Sequence, residues 1–168
     1  MDYLKESERT LSNNFYGDNI DLNYVINLLV TISQNIRELD KIKKSVFYGK
    51  DNNLPEPINE NFSSLSTGLD CLTDDKQKSV NLFHAIVGIA TESGELIDAL
   101  LNAMATNQKL DLINLCEEHG DLQWYEAILA RECEFTFEQS QEKNIAKLKH
   151  RYPNKFTEEM LYRDWETI

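Results

Sequence analysis

Two pairs of acidic residues in this chain have the spacing of a shared helical face: Glu92 and Glu95, then Glu118 and Asp121. On an α-helix, residues at i and i+3 lie on the same side, with their Cβ atoms roughly 5–6 Å apart. Both pairs stand in runs with helical periodicity, and the connection between them is long enough for an antiparallel return. We therefore predict that the two helices pack side by side and that the four carboxylates converge.

A site made of four carboxylates needs a counter-charge, because like charges repel and each carboxylate loses hydration. Mg²⁺ binds through oxygen ligands and water, and Mn²⁺ accepts the same ligands, so we expect one of these cations. A single acid pair is usually a solvated helix face, but the two pairs together favour metal ligation. Glu117 and Asp98 adjoin the pairs, and each could either support the site or face solvent.

Apolar residues at steps of three and four predict the two helices that carry the acid pairs. The first helix spans about residues 75–104, with Thr73 as its N-cap, and the second spans about 110–131 after a turn at 106–109. The apolar stripe of the first helix is Val80, Phe83, Val87, Ala90, Gly94, Ile97 and Leu101. A connection this short makes the two helices antiparallel neighbours.

Two further helices are predicted on either side of this pair. One spans about residues 21–48 and ends at Gly49, and the other spans about 137–150. A Thr-x-x-Gln capping box at Thr136 opens the later helix, and Pro153 prevents its continuation. The apolar stripe of the earlier helix is Leu22, Val25, Ile26, Leu29, Ile32, Ile36, Leu39, Ile42 and Val46.

The rest of the chain contains no convincing strand pattern. Residues 1–20 read as a short helix or a loose arm, residues 50–72 as a surface connector, and a last short helix is predicted from Thr157. The predicted fold class is therefore all-α, an antiparallel helical bundle.

The residues around the acid pairs resemble the MazG-like family of all-α nucleoside triphosphate pyrophosphohydrolases. The resemblance rests on Glu-x-x-Glu at 92–95, followed by Glu-Glu-His-Gly-Asp-Leu-Gln-Trp-Tyr at 117–125. The seven residues from His84 are similar to the first core helix of the family. Asn144-Ile-Ala-Lys-Leu, followed by Arg151-Tyr-Pro-Asn-Lys-Phe, resembles the closing segment of its phage and bacterial branch.

This resemblance covers roughly residues 78–166 and implies a catalytic helical bundle at 73–168. Residues 1–72 would form an N-terminal helical extension and connector. The implied reaction is Mg²⁺-dependent hydrolysis of a nucleoside or deoxynucleoside triphosphate to the monophosphate and pyrophosphate. The four acids of the two pairs would ligate the metal and carry catalysis, and the protein would form a homo-oligomer, a dimer or tetramer.

Asn144, Lys147 and Arg151 are candidates for contacts with the nucleotide. Their spacing of i, i+3 and i+7 places them on one helical face, if the helix extends that far. A cation can hold phosphates, and an amide can bond to base, sugar or phosphate. The alternative is a basic helix C-terminus that interacts favourably with the helix dipole.

His84, Trp124 and Tyr125 are aromatic candidates with weaker support. His84 is a further substrate-binding candidate, although a histidine on an apolar stripe is more often a hydrogen-bonded structural residue. Trp124 and Tyr125 follow Asp121 closely and could stack on a base, but aromatic residues in a bundle are usually core. We therefore interpret both as core.

The stretch 38–50 resembles a segment that often follows the first acid pair in MazG-like proteins, but here it lies upstream. Asn35 stands where an acidic partner of Glu38 would be needed, so no second metal-binding pair is predicted. The basic and aromatic end of this stretch could help to bind phosphate or a base.

Composition excludes several classes of protein. The 168 residues carry a net charge of -12, so we expect no binding to nucleic acid polymers. No apolar run approaches the roughly 20 residues of a membrane span, and no signal peptide is evident at the start. Three widely spaced cysteines indicate neither a zinc site nor a disulfide framework, which fits the cytoplasm, or the host cytoplasm for a phage-encoded chain.

Two alternatives to the leading function remain open at this point. The first is a non-catalytic helical module that binds a host or phage protein, with residues 1–72 as the candidate binding segment. The second is a related pyrophosphohydrolase that acts on phosphoribosyl-ATP or an alarmone. The identity of the base depends on the shape of a pocket, which the sequence does not define.

Overall fold

The structure is a computed structural model that describes residues 2–8, 17, 20–54 and 64–152. These ranges contain six α-helices and no strand, which confirms the all-α prediction. The helices are α1 (Tyr3–Glu8), α2 (Leu22–Tyr48), α3 (Leu65–Leu69), α4 (Lys76–Thr106), α5 (Leu112–Glu132) and α6 (Phe137–Arg151). The proposed stop at Pro153 and the short helix predicted from Thr157 lie outside the described residues. None of the described helices combines the length and the apolar composition that a membrane span requires.

Acidic side chains cap the N-termini of the three long helices. Asp21 accepts a hydrogen bond from the Asn23 amide at the start of α2, and Asp111 accepts from two amides at the start of α5. The N-cap of α4 is Asp75 and not Thr73, which corrects the prediction. The Thr73 hydroxyl instead donates to the carbonyl oxygen of Asp75 at 2.7 Å. The cap therefore lies two residues later than the sequence suggested.

Residues with left-handed backbone end two of these helices. Gly49 stands after α2 at φ 63°, and its amide donates to the Lys44 carbonyl, as predicted for a glycine at this position. Asn107 has the same role after α4 at φ 53°, which amide side chains tolerate better than most.

Helix α4 packs against both α2 and α5, and its partners run in the opposite direction. Along α4, Gly88 faces Tyr125 and the later Glu92 faces the earlier Glu118. The two glycines of α4 stand where its neighbours approach most closely. A Cβ atom on Gly88 would lie 2.0 Å from the Tyr125 ring, and one on Gly94 would lie 2.3 Å from Ile36 of α2. Glycine thus sets the short distance between α4 and both neighbouring helices.

The face of α2 that meets α4 is more polar than its apolar stripe predicted. Ser33 and Lys43 are the buried residues of α2, whereas Ile32 and Val46 of the predicted stripe are exposed. The helix is therefore rotated towards its polar residues, because α4 offers carboxylates and a hydroxyl as partners. The prediction of a helix was right, but the stripe described its buried face only in part.

The chain divides into two compact units, residues 21–134 and residues 1–20 with 135–168. The first unit contains α2, α3, α4 and α5. In the second, α6 opens with the predicted capping box at Thr136, and Lys149 of α6 forms an ion pair with Glu6 of α1 at 2.9 Å. The sequence analysis placed a boundary between an N-terminal extension at 1–72 and a catalytic bundle at 73–168, and that boundary stays a prediction.

Candidate functional site

Three of the four predicted acids form a carboxylate cluster. Glu92 of α4 and Glu118 and Asp121 of α5 each offer a carboxylate oxygen, and these oxygens lie within 4.8 Å of one another. Glu92 is buried, Glu118 is half-buried and Asp121 is exposed, so the cluster opens towards solvent on the α5 side. The antiparallel packing of α4 on α5 brings these side chains together, as their spacing predicted.

The donor chemistry of this cluster suits a hard divalent cation. Oε1 of Glu92 accepts hydrogen bonds, whereas Oε2 accepts none within the described part of the chain. Glu118 is oriented in a similar way, because the Asn114 side chain donates to its Oε1 at 2.8 Å. In each glutamate, one oxygen is therefore held by a protein donor, which is how metal-ligating carboxylates are commonly supported.

Glu95 stands outside the cluster but within its electrostatic field. Its pKa is raised, because the carboxylate loses hydration and because Glu118 and Glu92 are negatively charged, while Lys44 offsets part of the effect. The side chain is exposed and borders a groove between α2 and α4. Its role as a metal ligand stays a prediction.

Replacing Glu95 by Gln should raise the stability of the metal-free protein slightly at neutral pH. A raised carboxyl pKa means that ionisation costs the folded state more than the unfolded state, so this penalty is absent below the ordinary glutamate pKa and complete above the raised one. Because the side chain is exposed, we expect a gain of less than about 1 kcal/mol. Thermal melts without metal, at neutral and acidic pH, should show a difference that disappears in acid.

The same variant should lose roughly ten- to a hundredfold of its activity if Glu95 supports the metal. Glu117→Gln is the matched control, because Glu117 is also an exposed acid near the cluster. If Glu95→Gln kept full activity and the wild-type rise in melting temperature with Mg²⁺, Glu95 would be a solvated surface residue.

Lys43 of α2 is a buried cation beside the cluster. Its ammonium donates to Glu92 Oε1 at 2.8 Å and to Thr91 Oγ1 at 2.7 Å, and it lies 3.2 Å from Asp40 Oδ1. It also stands over the Tyr125 ring, 5.0 Å from the centroid. Burial by itself would lower the pKa of Lys43, but the hydrogen bond and the charge of Glu92 outweigh burial, so the pKa is raised. Lys43 is thus charged throughout the physiological range.

A cavity of about 350 Å³ opens beside the cluster and has an aromatic wall. Its lining residues are Tyr48, Glu92, Asp121, Trp124 and Tyr125. Two carboxylates of the cluster therefore share one cavity with three aromatic side chains. This combination can accommodate a ligand that carries both an anionic group, through a bound cation, and a flat ring.

Trp124 is not a core residue, which corrects its interpretation from the sequence. The side chain is 53% exposed and packs edge-on against Tyr125, with ring centroids 4.8 Å apart. Tyr125 is buried, as predicted, and its hydroxyl lies 3.3 Å from that of Tyr48. Burial and this hydrogen bond raise the pKa of Tyr125 to about 12, so it remains neutral.

His84 belongs to the aromatic packing behind this cavity and is not among the residues that line it. Its ring stacks on Phe47 at 3.7 Å between centroids, and Nε2 lies 3.4 Å from the Tyr48 hydroxyl. Burial and the charge of Lys43 lower the pKa of His84, which keeps the imidazole neutral at pH 7. Its contact with substrate stays a prediction.

Asp98 and Glu117, whose roles the sequence left open, differ in their surroundings. Asp98 accepts hydrogen bonds from Ser33 Oγ at 2.5 Å and from two nitrogens of Arg37 at 2.8 and 3.0 Å. It therefore joins α4 to α2. Glu117 is exposed on α5.

Asn144, Lys147 and Arg151 all lie on α6, in the unit that contains α1. Asn144 Oδ1 accepts a hydrogen bond from the Tyr3 hydroxyl at 3.4 Å, and Lys147 is exposed. The helix extends to Arg151, which is the condition for the three residues to share a face. Their contact with a nucleotide stays a prediction.

Sequence reasoning missed the contribution of α2 to the site. Lys43, Asp40 and Tyr48 all fall in the stretch 38–50. The sequence suggested only that the basic and aromatic end of this stretch could help to bind phosphate or a base, and it did not place Lys43 and Asp40 beside the carboxylate cluster. The available signal was helical spacing, because Asp40, Lys43 and Phe47 follow one another at steps of three and four.

The described residues thus combine all-α architecture with a carboxylate cluster beside an aromatic cavity. Residues 84–156 match the family model of the MazG nucleotide pyrophosphohydrolase domain, so the chain is similar to this family over that segment. The match supports nucleotide pyrophosphohydrolase activity in general. Comparison with curated proteins found no match, and comparison with solved structures also found none.

Proposed function

We propose that this protein is a Mg²⁺-dependent pyrophosphohydrolase that converts a nucleoside or deoxynucleoside triphosphate to the monophosphate and pyrophosphate. The observation that carries the proposal is a cavity lined both by Glu92 and Asp121 of the carboxylate cluster and by the exposed ring of Trp124. A nucleotide has the matching chemistry, with a chain of anionic phosphates at one end and a flat base at the other.

Glu92, Glu118 and Asp121 would hold the metal, with Glu95 as a further ligand, and Mn²⁺ could replace Mg²⁺. A divalent cation in this position would neutralise phosphate oxygens and polarise the bond to be hydrolysed. The chain itself supplies a fixed set of oxygens, because Lys43 and Asn114 hold the two glutamates before substrate arrives. Such preorganised groups need not reorient during the reaction.

Trp124 and Tyr48 would bind the base at the aromatic wall of the cavity. Stacking of a base on an aromatic side chain contributes about 1–3 kcal/mol and depends little on which base is bound. Asn144, Lys147 and Arg151 of α6 would contact the phosphates or the sugar, and His84 would support the base-binding residues from behind. This assignment rests on the family resemblance for α6 and on the cavity lining for the aromatic residues.

Release of pyrophosphate from a panel of ribo- and deoxyribonucleoside triphosphates tests the proposal. We expect equal amounts of monophosphate and pyrophosphate, and no product when Mg²⁺ is chelated. Activity on phosphoribosyl-ATP or an alarmone alone would support the related pyrophosphohydrolase instead. No product from any of these compounds, with folded protein, would favour the non-catalytic binding module.

We also propose that the protein forms a cytoplasmic homo-oligomer, a dimer or tetramer, and binds no nucleic acid polymer. Large apolar side chains on the protein surface favour a second copy as partner: Leu112 is 73% exposed, Ile113 75% and Ile86 57%. The net charge of -12 opposes binding to a phosphate backbone. A monodisperse monomer mass in light scattering at micromolar concentration would contradict the oligomer.

A further inference from the structure

The ammonium group of Lys43 is enclosed by partners from the protein. It donates hydrogen bonds to Thr91 Oγ1 and Glu92 Oε1 and forms an ion pair with Asp40 Oδ1. The residue is only 3% exposed. A lysine that binds phosphate must present its ammonium to solvent, so this arrangement does not fit the phosphate-binding role that the sequence suggested for the stretch 38–50.

We propose that Lys43 is a positioning residue that orients Glu92 for metal binding. By holding Oε1, the lysine fixes the orientation of the Glu92 carboxylate, which offers one oxygen to the cluster shared with Glu118 and Asp121. This inference rests on the proposed function, because it assigns Lys43 a part in the same metal site. It also makes α2 a functional part of that site and not only a packing partner of α4.

The remaining contacts of Glu92 cannot replace Lys43. Among the residues that the structure describes, only Thr91 also donates to Glu92 Oε1, at the longer distance of 3.3 Å. The single hydroxyl proton of Thr91 is also shared with the carbonyl oxygen of Gly88, at 2.9 Å. Without Lys43, the Glu92 carboxylate would therefore be buried with one weak hydrogen bond and would be free to turn.

The direction in which metal affinity changes when Lys43 is removed shows whether Lys43 orients Glu92 or acts only through its charge. The Lys43 ammonium is positive and adjoins the cluster, so its charge alone repels a bound cation. If charge were its only influence, removing it would strengthen metal binding. If Lys43 orients Glu92, removing it weakens metal binding, because a ligand oxygen is no longer held in place.

The test is the affinity of substrate-free protein for Mn²⁺, measured by electron paramagnetic resonance of the free ion. We expect Lys43→Met to weaken Mn²⁺ binding roughly ten- to a hundredfold, as is typical when the group that orients a metal ligand is lost. Lys41→Met is the matched control, because Lys41 is exposed on the same helix and pairs with Glu38. This control should bind Mn²⁺ as the wild type does.

Kinetics give a second measurement that a structural role alone would not change. For Lys43→Met, the Mn²⁺ concentration that gives half-maximal rate should rise, while the KM for nucleotide at saturating Mn²⁺ should stay within about twofold of wild type. A rise in nucleotide KM with unchanged Mn²⁺ affinity would overturn the inference and indicate a phosphate contact.

Two further outcomes distinguish the inference from the proposed function. Wild-type protein that binds no Mn²⁺ would overturn the proposed function and the inference with it. Wild-type protein that binds Mn²⁺, together with Lys43→Met that binds equally or more tightly, would overturn only the inference.

If Lys43→Met does not fold, Thr91→Val removes one partner of Lys43 and keeps the charge. We expect it to weaken Mn²⁺ binding severalfold, and unchanged binding would overturn the inference.

Discussion

Glu92→Gln should reduce pyrophosphate release by more than about a hundredfold at saturating Mg²⁺, since the loss of a metal ligand exceeds that of a supporting residue. It should also destabilise the metal-free protein. Of the two carboxylates paired with buried Lys43 in the described ranges, only Asp40 would then remain charged, and breaking a buried ion pair costs up to about 3–5 kcal/mol. Initial rates and chemical denaturation measure the two effects. Glu92→Gln and Glu95→Gln should therefore change the stability of the metal-free protein in opposite directions.

The double variant Glu92→Gln with Lys43→Met is the control for this interpretation. Removing both members of a buried pair leaves no unpaired charge, so part of the stability lost in Glu92→Gln should return, while activity should not. Additive loss of stability in the double variant would show that the two side chains are not energetically coupled. Full activity of Glu92→Gln would remove Glu92 from the proposed metal site.

Gly88→Ala should destabilise the protein by at least about 1–3 kcal/mol, because it adds a methyl group where no space exists. The new Cβ atom would lie 2.0 Å from a carbon of the Tyr125 ring, and a ring cannot bend away as a flexible side chain can. Tyr125 also lines the cavity, so we expect substrate binding to weaken together with stability. Urea denaturation and the KM for nucleotide measure these effects.

Gly120→Ala is the matched control on α5. Nothing lies within 4 Å of a Cβ atom at Gly120, so this substitution should only gain helix propensity and stabilise the protein by about 0.5–1 kcal/mol. A Gly88→Ala protein as stable as wild type would contradict the close approach of α4 and α5 at this point.

The sequence was sufficient for the four longer helices and for most of the carboxylate cluster, because both depend on local spacing. It missed the short helix α3, which lies in the stretch 50–72 that was interpreted as a connector. Acids at i and i+3 share a helical face in any packing, and an antiparallel neighbour brings the second pair opposite the first. Glu95 differs because the rotation of α4 gives the two acids of its pair different surroundings. Glu92 is buried under Lys43, whereas Glu95 faces the groove between α2 and α4.

The contribution of α2 to the site could not be predicted from the periodicity of its apolar residues alone. A hydrophobic stripe predicts which side of a helix is buried only when its neighbour is apolar, and here α4 presents Thr91, Glu92 and Asp98 to α2. The exposure of Trp124, in contrast, could have been predicted from the sequence. It lies three residues after Asp121 and so shares the face of an exposed acid.

The polar contacts between α2 and α4 also specify how far one helix can slide along the other. Arg37 and Ser33 meet Asp98, while Lys43 meets Glu92, so two sets of partners must match at once. A slip by one helical turn, about 5.4 Å, would separate both sets and leave Lys43 buried without Glu92. Apolar side chains tolerate such a slip far better. The interface thus selects a single alignment, as buried polar residues do in coiled coils.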